Sequence, residues 1–151
     1  MMSRLQDFRI ANLSVVTGDV EVCLDDELDA YGGDAARIER LKKATGLRAR
    51  RVVSPGLTTV DLAEQAVRRM VDEQGLDLNT LDACLFVTQT PDFSQPANAA
   101  VLHGRLGLAK SVAAWDVNLG CSGWVYGVVQ AGAWIRSGLA RRVLLVAGDT
   151  T

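Results

Sequence analysis

The chain has 151 residues, of which 48% are hydrophobic and 23% are charged, and its formal net charge is −2 at pH 7. This length and composition are typical of a globular domain that can bury a substantial core. The nearly neutral charge argues against binding to nucleic acid or to an anionic membrane surface, because no basic field would attract either one.

The first third of the chain predicts one strand and one helix. Residues 8–17 alternate loosely between apolar and polar side chains, which predicts a first strand that ends in a turn at residues 18–19. The acidic residues 25–29 are typical of a solvated helix or loop. Asp34 is placed to cap a helix that ends at Gly46, and a basic extended segment is expected to follow.

The remainder of the chain alternates between predicted helices and strands. A helix begins at Thr58 and is closed by Gly75. The later predicted elements are a strand at 84–88, a helix at 97–106, a strand at 111–117, a helix at 122–135 and a strand at 143–147. This alternation indicates an α/β fold with a mostly parallel or mixed sheet and helices on both faces, and we expect residues 1–151 to form one domain.

The cysteines indicate a reducing compartment. Their odd number and wide spacing, at Cys23, Cys84 and Cys121, are unlike a disulfide framework or a zinc site. The N-terminal segment is too polar for a signal peptide, and no apolar run approaches the roughly 20 residues needed to span a bilayer. We therefore expect a cytoplasmic protein that holds no metal and no membrane anchor.

Cys121 is the strongest candidate for chemistry. It lies between a predicted strand and a predicted helix, and the first N–H groups of a helix favour the nucleophilic thiolate form of a nearby cysteine. Gly120 and Gly123 would allow a tight turn and close approach of a substrate to the backbone. The arrangement favours acyl transfer, although the residue pattern alone fits a buried structural cysteine about equally well.

The predicted helix after Cys121 is apolar around its whole circumference. Apart from Gln130 and Arg136, its side chains are apolar or small. Since a helix that is apolar on all sides is normally buried on all sides, we expect a further partner to cover it.

The segment from Asp116 to Gly127, together with residues 142–149, resembles the β-ketoacyl-acyl-carrier-protein synthase III family. Weaker supporting motifs lie at residues 45–48, 88–92 and 105–108. The resemblance implies a thiolase-like layered fold, of which this chain would be the N-terminal half. The C-terminal half would be absent, and the apolar helix would be the buried central helix of the first half.

The resemblance also implies a reaction. Cys121 would take an acyl group from acyl-CoA, and a malonyl group on acyl carrier protein would lose CO₂ and attack the resulting thioester. A His and an Asn from the other half would assist, and no cofactor would be needed. Thr45, Thr90 and Phe93 are then expected to bind substrate, although Phe93 could instead pack within its own loop or at a dimer face. The family dimerises through the strand at 111–117, so a homodimer is expected.

Several positions depart from the family pattern. Arg40 and Ala44 stand where well-known members use a Trp and an Arg to hold CoA, and Gln95 replaces a Phe that some members place before the loop proline. His103 does not match the family's catalytic histidine, so we expect it on a helix surface outside the site.

Two alternatives stay open. The chain could be a non-catalytic half-fold or subunit that assembles with a separate partner. A thiolase or a hydroxymethylglutaryl-CoA-synthase-like enzyme would share the fold.

Overall fold

The computed structural model describes residues 8–150, which form two compact units. The smaller unit comprises residues 17–57, and the larger one joins the segment up to residue 16 to the chain from Thr58 onward. Most of the polar N-terminal segment lies outside the described residues. The assignment of residues 1–151 to a single half-domain stays a prediction.

The smaller unit is a two-stranded sheet with one helix. Strands β1 (Val20–Cys23) and β2 (Ala49–Val52) pair in antiparallel fashion. A 3-10 segment (Leu24–Tyr31) and helix α1 (Ala35–Thr45) connect them. The side chain of Asp34 accepts a hydrogen bond from Arg37 N–H at 3.0 Å, which confirms the predicted cap of α1.

The larger unit contains the elements that surround Cys121. They are α2 (Thr59–Gln74), a short 3-10 turn (Leu78–Thr80), β3 (Ala83–Val87), α3 (Asn98–Leu106), β4 (Ala113–Val117), α4 (Gly123–Arg136) and β5 (Val143–Ala147). Apart from the 3-10 turn, which was not predicted, these elements have bounds within two residues of the predicted ones. Strand β3 lies between β4 and β5, and both of its neighbours run parallel to it. The predicted fold class is confirmed.

Each face of the sheet is covered by helices. On one face, Cys84 and Phe86 of β3 join a buried core with apolar side chains of α2 and α3, including Val67 and Leu102. Successive strand side chains point to opposite faces, so Val87 belongs to the other face, where α4 packs. The approach there is close, because a Cβ atom added to Gly127 would lie 2.7 Å from a Leu145 methyl group and 3.1 Å from one of Val87.

The side of α4 turned away from the sheet is exposed and apolar. Trp124, Val125, Tyr126 and Val129 are between 42% and 61% exposed. The partner expected for this surface stays a prediction. In residues 8–150 no helix, α4 included, is both long and apolar enough to cross a membrane.

The prediction of a first strand at residues 8–17 is wrong. Residues 8–18 adopt no regular secondary structure, and the first strand begins at Val20. The backbone of this segment bonds to side chains of α2 instead of to a strand. Leu13 N–H donates to Gln74 Oε1 (3.3 Å), Leu13 C=O accepts from Gln74 Nε2 (2.8 Å), and Val15 C=O accepts from Arg69 (3.4 Å).

Candidate active site

The carboxyl ends of the three parallel strands lie at the same end of the sheet, and Cys121 lies there. Thr88 N–H donates to Val117 C=O at 3.2 Å, and Gly148 N–H donates to Val87 C=O at 3.2 Å. These bonds extend the hydrogen bonding between β3 and its two neighbours beyond the ends of the strands. The loops that follow β3, β4 and β5 are therefore held side by side.

Cys121 occupies a tight turn between β4 and α4, as predicted, and its residue is exposed. Leu119 N–H donates to Val117 C=O (3.1 Å), and Gly123 N–H donates to Gly120 C=O (2.7 Å). Cys121 thus comes two residues before α4 begins, at the end of the helix that carries the positive pole of its dipole. Its role as a nucleophile stays a prediction.

Asp149, which follows β5, accepts hydrogen bonds from the residues that follow β3. Its Oδ1 accepts hydrogen bonds from the Thr88 hydroxyl and from Gln89 N–H, both at 2.8 Å, and from the Thr90 hydroxyl at 3.3 Å. Burial raises the pKa of Asp149, but the bonds from Gln89 N–H and Thr88 outweigh that effect, so the pKa lies below its usual value. Sequence reasoning did not single out Asp149, although its position two residues after the last predicted strand was an available signal.

Thr90 is half-buried and its polar groups are engaged within the chain. Its hydroxyl accepts a hydrogen bond from Thr150 N–H at 2.9 Å, and its carbonyl accepts one from the Thr59 hydroxyl at 2.9 Å. These contacts connect the start of α2 with the end of β5. The predicted substrate-binding role of Thr90 is not tested by them and stays a prediction.

Gln89, two residues after β3, has a side chain that reaches Gly120 in the cysteine loop. A Cβ atom added to Gly120 would lie 2.5 Å from Gln89 Oε1, so the carboxamide packs directly on the residue before Cys121. The sequence did not identify this residue, because neighbouring positions at a strand end point in different directions and their final orientation depends on tertiary packing.

Phe93 lies on the loop between β3 and α3 and is 55% exposed. The loop is anchored beside it, because Asp92 N–H donates to Asn98 Oδ1 (3.1 Å) and Asp92 Oδ1 accepts from Val60 N–H (3.3 Å). The Asp116 carboxylate in turn accepts hydrogen bonds from the first N–H groups of α3. A role of Phe93 in substrate binding stays a prediction.

Thr45 belongs to the smaller unit, at the end of α1. Its hydroxyl donates to Leu41 C=O (2.8 Å) and accepts from Leu47 N–H (3.1 Å), which closes the helix end. Arg40 is exposed and donates to Asp34 at 3.3 Å. The substrate-binding role expected for Thr45 stays a prediction.

His103 lies at the other end of the sheet from Cys121. Its Nε2 is 3.0 Å from Ala109 C=O, ahead of β4, whereas Cys121 follows the carboxyl end of that strand. The four residue steps of β4 alone span about 13 Å. His103 is therefore too far away to act on the thiol directly, as expected from its mismatch with the family histidine.

Comparisons with known proteins bear on this site. The family model for 3-oxoacyl-[acyl-carrier-protein (ACP)] synthase III matches residues 115–151, which include Cys121. A putative 3-oxoacyl-[acyl-carrier-protein] synthase 3 from Campylobacter jejuni is 34% identical over 151 residues, covering 99% of this chain and 42% of the relative. A β-ketoacyl-[acyl-carrier-protein] synthase III from Rhizobium rhizogenes is 42% identical over 106 residues, covering 70% of this chain and 32% of the relative.

The fold agrees with these sequences. The crystal structure of a 3-oxoacyl-(acyl-carrier protein) synthase from Burkholderia xenovorans superposes with a TM-score of 0.82 at 34% identity, covering 89% of this chain and 38% of that one. The chain therefore spans less than half the length of the relatives it matches. Along nearly its whole length, this chain is similar in sequence to one part of proteins named as synthases of the β-ketoacyl-acyl-carrier-protein synthase III family.

Proposed function

We propose that this chain is part of an acyltransferase of the β-ketoacyl-acyl-carrier-protein synthase III type and that Cys121 carries the acyl group. The observation that supports this most directly is the exposed Cys121 on the turn between β4 and α4, inside the segment matched by the family model. Two of the three cysteines are less accessible, since Cys84 is buried and Cys23 is half-buried.

The proposed first step is thioester exchange. The Cys121 thiolate attacks the carbonyl carbon of acyl-CoA, a carbon–sulfur bond to the enzyme forms, and the CoA thiolate leaves and takes up a proton. Backbone N–H groups at the start of α4 are suited to stabilise the oxyanion formed during the attack. This step uses groups that lie within the described residues.

The proposed second step is condensation. A malonyl group on acyl carrier protein loses CO₂, and the resulting carbanion attacks the carbonyl carbon of the acyl thioester. The carbon–sulfur bond to Cys121 breaks, which gives a β-ketoacyl carrier, and the Cys121 thiolate leaves and takes up a proton. As the family resemblance implies, the His and Asn that assist this step would come from residues outside this chain.

Strand β4 supports a proposed homodimer. It is an outer strand in the order β4-β3-β5, so one of its edges has no strand beside it in the described sheet. Pairing with the same strand of a second copy would satisfy that edge and cover it.

A non-catalytic assembly module is the second candidate. The exposed apolar surface of α4, at Trp124, Val125, Tyr126 and Val129, favours it because a surface of this kind is suited to contact another chain. Such a module would keep the fold without forming an acyl-enzyme.

Intact mass spectrometry after incubation with acyl-CoA separates the two candidates. We expect the chain to gain the mass of one acyl group and Cys121→Ala to gain none. Cys23→Ala is the matched control and should be acylated like the unchanged chain. An acyl adduct that persists in Cys121→Ala would rule out the proposed nucleophile, and absence of any adduct in the unchanged chain would favour the assembly module.

A further inference from the structure

Gln89 and Gly120 make a close contact at the carboxyl end of the sheet, where Cys121 also lies. A Cβ atom added to Gly120 would lie 2.5 Å from Gln89 Oε1 and 3.2 Å from Gln89 Cδ, and its three nearest heavy atoms all belong to Gln89. Gly120 is outside the left-handed backbone region that favours glycine. Glycine at position 120 therefore makes room for the Gln89 carboxamide. The backbone conformation at this position does not itself require glycine.

Both sides of this contact are anchored. The backbone of Gln89 is held by the bond from its N–H to Asp149 Oδ1 (2.8 Å), and the preceding residue bonds to β4 through Thr88 N–H and Val117 C=O (3.2 Å). On the other side, Gly120 C=O accepts a hydrogen bond from Gly123 N–H at 2.7 Å, at the start of α4. The backbone is therefore held on both sides of the contact between the Gln89 carboxamide and Gly120.

We propose that Gln89 is a positioning residue for Cys121. Its carboxamide packs on Gly120 and restricts the loop at residues 118–122, which keeps the thiol beside the first turn of α4. Asp149 acts through Gln89 by fixing its backbone. The contact depends on a long, unbranched side chain that fills the space over Gly120. This inference rests on the proposed function, because it assigns Gln89 to the preparation of the acyl-accepting thiol.

The test measures the reactivity of Cys121 with iodoacetamide in the full chain at one fixed pH, resolved by peptide mass spectrometry. We expect Gln89→Ala to slow alkylation of Cys121 by about two- to fivefold, which is the factor that corresponds to losing a favourable charge–helix interaction. Gln65→Ala is the matched control, since Gln65 is exposed on α2. Cys23 in the same samples is an internal reference, and circular dichroism checks that each variant is folded.

Two further variants separate positioning from a general loss of structure. Gly120→Ala should displace the same carboxamide, because Gln89 Oε1 is the end of a flexible side chain, and it should slow Cys121 alkylation to a similar extent. The Gln89→Ala/Gly120→Ala double variant should be alkylated at Cys121 no more slowly than either single variant. Gln89→Met preserves length and bulk, so it should restore the rate of the unchanged protein.

The inference is overturned if Gln89→Ala alkylates at the unchanged rate or faster, or if the effects of Gln89→Ala and Gly120→Ala multiply. The acyl-mass assay keeps this result distinct from the proposed function. If Gln89→Ala is alkylated more slowly but the unchanged chain takes no acyl group, Cys121 loses its proposed acyl-transfer role. The proposed positioning of its thiol by Gln89 is then retained. Normal alkylation in Gln89→Ala, in a chain that is acylated, would remove the role of Gln89 alone.

Discussion

The two ends of the three-stranded sheet are each fastened by one aspartate, but different groups surround them. At the amino end, Asp82 Oδ2 accepts hydrogen bonds from the N–H groups of Arg141 (2.7 Å) and Arg142 (3.0 Å), which join β3 to β5. At the carboxyl end, Asp149 makes the reverse connection from β5 to Thr88 and Gln89.

The difference between the two ends lies in what each aspartate holds. Asp82 holds backbone that leads into β5 and is separated from Cys121 by the length of the strands. Asp149 holds the residue whose side chain contacts the cysteine loop. An aspartate that accepts backbone N–H bonds therefore stabilises the fold at one end of the sheet. Under our proposal, a similar aspartate at the other end also helps to position the thiol.

Phe86→Ala should erase the distinction by weakening both ends together. Phe86 lies in the central strand and has 0% exposure, so its removal leaves a large cavity in the core. We expect the free energy of unfolding to fall by about 3–5 kcal/mol, measured by urea denaturation. Phe93→Ala, at an exposed position, should change it by no more than about 0.5 kcal/mol. Equal effects of the two substitutions would contradict the described core.

Asp82→Asn and Asp149→Asn should sharpen the comparison. Each replaces a charged acceptor by a weaker neutral one, so each should lower the melting temperature by a few degrees in a thermal scan. Only Asp149→Asn should also slow iodoacetamide alkylation of Cys121, because only Asp149 holds Gln89. Equal slowing by Asp82→Asn would show that the thiol responds to global stability and not to the carboxyl end in particular.

Acidification should weaken both ends to a smaller extent. Hydrogen bonds from the Arg141 and Arg142 N–H groups lower the pKa of Asp82 below 3.8, and the pKa of Asp149 is also lowered. A carboxylate with a depressed folded-state pKa stabilises the fold fully above its unfolded pKa and loses that contribution as the pH falls through its folded pKa.

The Asp82→Asn/Asp149→Asn double variant checks this pH dependence. Its stability deficit relative to the unchanged chain should therefore shrink as the pH falls below about 3.8. Thermal unfolding over a pH series measures this deficit. A deficit that stays constant through that range would contradict the assigned ionisation.

The elements of the larger unit could be predicted because their signals are local. Thr58 and Asp61 form a capping box at the start of α2, and Gly75 and Gly107 close helices with left-handed backbones. The turn at Cys121 could be predicted for the same reason, since Gly120 and Gly123 mark the change from an apolar strand to an apolar helix.

What could not be predicted depends on contacts distant in sequence. The alternation in residues 8–17 is the same whether or not a strand lies beside them, and here Gln74 and Arg69 take the backbone bonds that a strand would supply. Likewise, Gln89 and Thr90 are adjacent polar residues at the end of β3. The pairing with β4 and β5 and the packing of the loops decide which of them turns toward Gly120.

The stacking of Trp115 on Trp134 gives the molecule an optical signal of its own. Their ring centroids are 4.0 Å apart with an interplanar angle of 28°, one ring coming from β4 and the other from α4. Indole rings this close and this fixed couple their electronic transitions, which produces a signed pair of circular dichroism bands. Because β4 and α4 are the elements on either side of Cys121, that signal would follow the integrity of the cysteine turn without any label.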